Sequence, residues 1–156
     1  IALIFIFFKL FFSATAWNSK GVVLSEQGKP DEAIKCFDKA LEIDPKYAIA
    51  WNNKGLALLE QNEYKDEAIK CFDKALEIDP NYTYAWGNKG LALYCLKKND
   101  EAIKCFDKAL EIDPNNAYAW EYKREFDPKI NADAWKYNSI YFQPEPGKKS
   151  NLFYQK

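Results

Sequence analysis

The ten residues CFDKALEIDP occur three times without change, at Cys36–Pro45, Cys71–Pro80 and Cys105–Pro114. Tryptophan keeps the same beat at Trp17, Trp51, Trp86 and Trp120, with spacings of 34, 35 and 34 residues. Recurrence at this interval restricts the chain to folds that stack one small unit on the next. The longer period has one extra residue in NEYKDEA, where the first copy reads GKPDEA. Such a difference belongs in a loop.

Each period reads as two helices. In the middle copy the first is predicted over 48–61, with Trp51, Gly55 and Leu58 at the i, i+4, i+7 spacing of one helical face. The second is predicted over 66–78, where Ala68, Ile69, Phe72, Ala75 and Leu76 form the apolar side. Gly55 and Ala68 are small, so the two helices can cross closely. Asp31, Asp66 and Asp100 are read as N-caps of the second helices. Pro45, Pro80 and Pro114 are read as their stops. One hairpin of this size cannot bury its apolar face alone, and about three copies are needed.

The pattern W-x3-G-x2-L followed by A-x3-F-x2-A-x4-P resembles the tetratricopeptide repeat. Its signature positions are filled by Trp17, Gly21, Leu24, Ala33, Phe37, Ala40 and Pro45. The second set is Trp51, Gly55, Leu58, Ala68, Phe72, Ala75 and Pro80, and the third is Trp86, Gly90, Leu93, Ala102, Phe106, Ala109 and Pro114. The resemblance implies an all-α, right-handed superhelical solenoid of antiparallel helix pairs. Its repeats would span 14–47, 48–82 and 83–116. One departure is systematic: Lys20, Lys54 and Lys89 precede the glycine where the family usually has leucine. Their aliphatic stems are expected to cover the neighbouring helix while the ammonium reaches water.

The same resemblance points to a groove. Counted from each repeat start, positions 2, 5, 6, 9, 12 and 13 of the first helix make a second stripe, which lines the concave, peptide-holding face in this family. Here the stripe supplies Asn18, Val22, Asn52, Asn53, Leu56, Tyr84, Asn88, Leu91 and Tyr94, with Tyr118 from the fourth copy. Val22, Leu56 and Leu91 would otherwise lie exposed in line. Some family members clamp a C-terminal carboxylate with Lys and Arg at positions 2, 5 and 6. Asn18, Asn53, Tyr84 and Asn88 stand there instead, which argues against a chaperone-tail clamp. Other members use asparagine at position 6 as a ladder for a peptide backbone, because an amide both donates and accepts. Asn53 and Asn88 match it, and Ser19 does so in part. The tyrosines would stack on partner side chains.

Composition narrows the chemistry. The chain has no histidine, which removes the commonest general base, the commonest zinc ligand and every Ser-His or Cys-His pair. A net charge of -1 gives no global attraction to nucleic acid. Cys36, Cys71 and Cys105 share one repeat position, about 10 Å apart on stacked helices, too far for disulfides. They and Cys95 are read as structural thiols without metal. Glu32 with Lys35, and their copies, are expected to form i, i+3 pairs on a solvated face. GKKS at 147–150 lacks the first glycine, strand and helix of a phosphate loop. The expectation is therefore a non-catalytic interaction scaffold with a protein or peptide partner, no cofactor and no small-molecule substrate, located in the cytoplasm.

The ends are less regular. Eleven of the first twelve residues, IALIFIFFKLFF, are apolar. Residues 1–13 are open to three readings: the end of a membrane span, the core of a signal sequence, or an apolar cap on the first repeat. The first two would make the protein a membrane- or envelope-associated assembly factor. Ala14-Thr15-Ala16 resembles a cleavage triplet, but AIAW, TYAW and AYAW stand at the same place in later copies. The triplet therefore belongs to the repeat. Residues 117–141 read as a degenerate fourth repeat or capping helix, with Glu121, Lys123, Arg124 and Glu125 solvated. Residues 142–156 read as a disordered tail.

Overall fold

The computed structural model describes residues 13–126. The apolar segment 1–12, the remainder of the degenerate repeat and the tail lie outside the described residues. Among the described residues there are seven α-helices and no strand, in two compact units divided after Pro80. The first unit holds α1 (Ala14–Glu26), α2 (Pro30–Ile43), α3 (Ala48–Glu60) and α4 (Lys65–Ile78). The second holds α5 (Thr83–Cys95), α6 (Asn99–Ile112) and α7 (Ala117–Phe126).

The helix pairs α1–α2, α3–α4 and α5–α6 share one contact. Phe37, Phe72 and Phe106 are each 0% exposed, and each ring sits against the glycine of its partner helix. A Cβ on Gly21, Gly55 or Gly90 would fall 2.5, 2.6 or 2.7 Å from a ring carbon. No other residue allows that approach. Within the first unit α2 also packs on α3. Phe37 and Ala33 meet Val22 and Ala57 in one cluster, and Ala40 and Leu41 meet Ala50, Trp17 and Trp51 in another. The Trp51 indole N–H donates to the Pro45 carbonyl at 3.0 Å, and that of Trp120 donates to Pro114 at 2.8 Å. Each bond ties a first helix to the loop that precedes it.

The helix ends differ from the sequence expectation. Asp31, Asp66 and Asp100 are not N-caps; they lie in the first turn, and the cap positions are Lys29, Tyr64 and Lys98. A carboxylate in the first turn still opposes the helix dipole, and Pro30 occupies the first turn beside Asp31. The side-chain N-caps are Ser13, whose Oγ accepts from the Ala16 N–H at 3.1 Å, and Asn116, whose Oδ1 accepts from the Ala119 N–H at 2.9 Å. After Ile43 and Ile112 the caps Asp44 and Asp113 extend the chain, and their carboxylates accept from the N–H of Lys46 and Asn115 at 3.0 Å. Gly28, Asn62 and Lys97 take φ values of +71°, 56° and 61° at the same place after each first helix. The left-handed turn there is set by the fold, since even a lysine adopts it.

In an ordinary helix interior Gly55→Ala would stabilise by about 1 kcal/mol. Here the added methyl meets a buried ring, so the expected result is destabilisation by about 1–3 kcal/mol, read as a lower urea midpoint.

Candidate interaction surface

The first unit gathers Asn18, Val22, Asn52, Asn53 and Leu56 from α1 and α3, and it buries them. Asn18 and Val22 are 1% exposed, and Asn52, Asn53 and Leu56 are 0% exposed. This corrects the expectation of an exposed apolar line, because Val22 is core, packed with Ala33, Phe37 and Ala57. The asparagines bond to one another. Asn53 Nδ2 donates to Asn18 Oδ1 at 3.0 Å, and Asn52 Nδ2 to Asn53 Oδ1 at 3.3 Å. Amides joined in this way fix α1 against α3 rather than presenting a ladder to a ligand. Asn18 Nδ2 and Ser25 Oγ are buried without a hydrogen-bond partner, a deficit of about 1–3 kcal/mol for each group.

The second unit gathers Tyr84, Asn88, Leu91 and Tyr94 on α5 with Tyr118 on α7. Tyr84 is exposed, Leu91 and Tyr94 are half-buried, and Asn88 is buried. Tyr118 is not a free platform. Its ring lies on Gly87, whose Cβ would come within 2.8 Å of it. Its hydroxyl donates to Asn88 Oδ1 at 3.1 Å, and it meets Tyr122 edge-on with centroids 4.8 Å apart. Tyr122 in turn stacks on Phe106 at 5.6 Å. The open part of this stripe is therefore centred on Tyr84 and Leu91.

The lysines before the glycines, and Lys123 at the same place before Arg124, do more than reach water. Lys20, Lys54, Lys89 and Lys123 each lie over the tryptophan three residues earlier, 5.3–5.9 Å from its ring centroid. Lys54 Nζ also reaches Asp38 on α2 at 2.6 Å, and Lys123 pairs with Asp107 on α6. Beside the first pair, Gln61 Nε2 donates to Asp31 Oδ1 at 2.8 Å. The Lys123 pairing corrects its reading as solvated. The i, i+3 pairs are also different from those expected: they are Lys74–Glu77 and Lys108–Glu111, not Glu32–Lys35. The one sequence signal for the cross-helix pairs was that lysine recurred in phase with an aspartate in the preceding second helix.

Cys36, Cys71 and Cys105 are buried thiols and Cys95 is an exposed one. Burial raises Cys36 and pushes Cys71 up to about 11, so these thiols are poor nucleophiles at neutral pH. Among the described residues there is no cluster of three potential metal ligands. No described helix is long and apolar enough to cross a membrane.

The period, the helix pairs and the Gly–Phe contact define a class of all-α helical-repeat solenoids. The tetratricopeptide repeat profile matches residues 14–47, 48–82 and 83–116, and the chain belongs to that family of interaction folds. No curated protein matches it. Among solved structures it is similar to the first repeat domain of human RPAP3, with 31% identity and TM-score 0.71 over 81% of this chain and 97% of that one. It is also similar to the first such domain of Spaghetti (RPAP3) bound to the HSP90 peptide SRMEEVD, with 30% identity, TM-score 0.70, and 76% and 93% covered. The second domain of human RPAP3, in complex with the HSP70 peptide SGPTIEEVD, shares 26% identity at TM-score 0.67, with 72% and 93% covered.

Burial, with Tyr122 next in effect, holds the Tyr118 phenol well above its usual 10.0. Its raised value favours the fold fully below pH about 10, and that contribution is lost as pH rises through the folded-state value. Tyr118→Phe keeps the ring on Gly87 and has no proton to lose. Urea midpoints at about pH 8 and about pH 11 should therefore fall less in the variant than in the parent. An equal fall would show that the hydroxyl is not held protonated by the fold.

Proposed function

We propose that this chain is a non-catalytic scaffold whose repeats hold a segment of a partner protein, extended or helical, on the exposed part of the α5 stripe. The observation that carries this reading is Tyr84, a large aromatic 38% exposed, on the same helix face as half-buried Leu91 two turns on. Similar folds hold short peptides in the RPAP3 complexes. An exposed tyrosine offers a wide apolar ring and a polar tip with little entropy to lose, which suits an anchoring contact.

The ligand chemistry differs from that of those complexes. Their peptides end in EEVD, and an acidic tail asks for cations. The stripe supplies Asn18, Asn53, Tyr84 and Asn88 at the corresponding places. An uncharged or apolar segment fits better. Within the second unit, buried Asn88 accepts from Tyr118 and supports the α5 surface from beneath.

Selection from a displayed random-peptide library against the whole chain tests this. Enriched peptides should carry an apolar or aromatic anchor without a conserved acidic terminus. Tyr84→Ala, with its helix content unchanged by circular dichroism, should bind them about tenfold more weakly. Enrichment of acidic C-termini, or affinity indifferent to Tyr84→Ala, would contradict the reading.

A further inference from the structure

The repeats allow one face to be compared with itself. On α3 the residues turned toward α2 are Ala50, Trp51, Lys54, Ala57 and Gln61, through the contacts described above. Ala50 and Ala57 are 0% exposed there. The corresponding residues of α1 are Ala16, Trp17, Lys20, Val23 and Gln27. Val23 is 48% exposed, and Lys20 and Gln27 are exposed. Ala119, which matches Ala50 on α7, is also 0% exposed. The α1 face is built like the others and stands open.

A cleft of about 320 Å³ runs along it between α1 and α2, lined by Trp17, Lys20, Leu24, Lys35, Cys36 and Lys39, with Glu32 its one acid. In the next pair, the counterpart of this cleft is where α2 sits. Asp38 of α2 pairs with Lys54 and lies within electrostatic reach of Cys71 on α4. Cys36 feels Lys20, Lys39 and Glu32, with no counterpart of Asp38. The open cleft thus has three lysines against one glutamate. Among the described residues, no carboxylate pairs with Lys20.

We infer that this α1–α2 cleft docks an amphipathic helix of a partner, of the same chemistry as α2, with the pattern Asp-x-Ala-x3-Phe-Asp. The template is Asp31, Ala33, Phe37 and Asp38. The partner's second aspartate would meet Lys20 as Asp38 meets Lys54. Its first would accept from Gln27 as Asp31 does from Gln61. Its alanine and phenylalanine would cover Val23 as Ala33 and Phe37 cover Ala57. A helix from another repeat protein supplies this pattern. The apolar residues 1–12 do not, since Lys9 is their single charge. This face is distinct from the α5 stripe, and the inference does not rest on the peptide reading given above.

The test is calorimetric titration of the full chain with a hydrocarbon-stapled peptide copying the 14 residues Pro30–Ile43, stapled across positions 35 and 39, with Cys36→Ser. The staple is needed because a free helix of this length is marginal in water. Saturable binding is expected. It should weaken about tenfold with Lys20→Glu in the protein, and should largely recover when the peptide carries Asp38→Lys against that variant. Lys20 is exposed, so the variant should fold. No binding at millimolar peptide, or binding indifferent to Lys20→Glu, would overturn the proposal. So would binding that appears only after residues 1–12 are removed, or a dimer of the chain that Lys20→Glu dissolves. Those results would assign the face to the chain's own N-terminal segment or to a second copy.

Discussion

A phenylalanine ring against a glycine is the contact on which each helix pair depends. With Gly21, Gly55 and Gly90 in place, Phe37, Phe72 and Phe106 fill the space that a methyl group would occupy. The helices come close enough to seal the alanines at Ala33, Ala68 and Ala102 at 0% exposure. Close packing of this kind tolerates neither a gap nor an added methylene. The crossing therefore fixes which side chains of each first helix face their partner and which face the next pair.

That second face is where charge enters. Lysine replaces the family's leucine with its Nζ near a tryptophan ring, and in Lys54 the ammonium also reaches an aspartate of the neighbouring second helix. Lys54 with Asp38 shows the arrangement, its side chain only 22% exposed against 45% for the aspartate. A pair this open is worth about 0–1 kcal/mol, so its main effect is on register and choice of neighbour. A surface that selects its neighbour inside the chain can select one outside it. This is the physical link between the repeat interior and the open α1 face.

Much of this was legible in the sequence because the repeats state it three times. The helix pairs, the small residues that allow a close crossing and the loop insertion in NEYKDEA all follow from period and spacing, whereas the ring that fills each crossing does not. What was not legible depends on which polar atom meets which. A stripe count puts Val22 and Leu56 on the groove line, yet the structure buries both. Of the ladder asparagines, Asn53 donates to Asn18 and accepts from Asn52, and Asn88 accepts from Tyr118, which a pattern of residue types does not reveal. Aspartate before a helix reads as a cap, but Pro30 lies beside Asp31 in the first turn, and the helix starts at Pro30 with Lys29 as its cap. In α7 the spacing that suggested a solvated end missed Lys123 bound to Asp107. The asparagine and Lys123 misses are choices of hydrogen-bond or ionic partner across helices, and the others are choices of burial and of helix start.

The claim that the Gly–Phe contact governs the pair is tested most directly by a double-mutant cycle at Gly55 and Phe72 in urea denaturation. If the alanine methyl is costly because it strikes the ring, Phe72→Leu should make room for it. The double variant should then be less destabilised than the sum of the two single variants, by about 1 kcal/mol or more. Strict additivity would mean that the two residues act independently, and the account of the pair would be wrong.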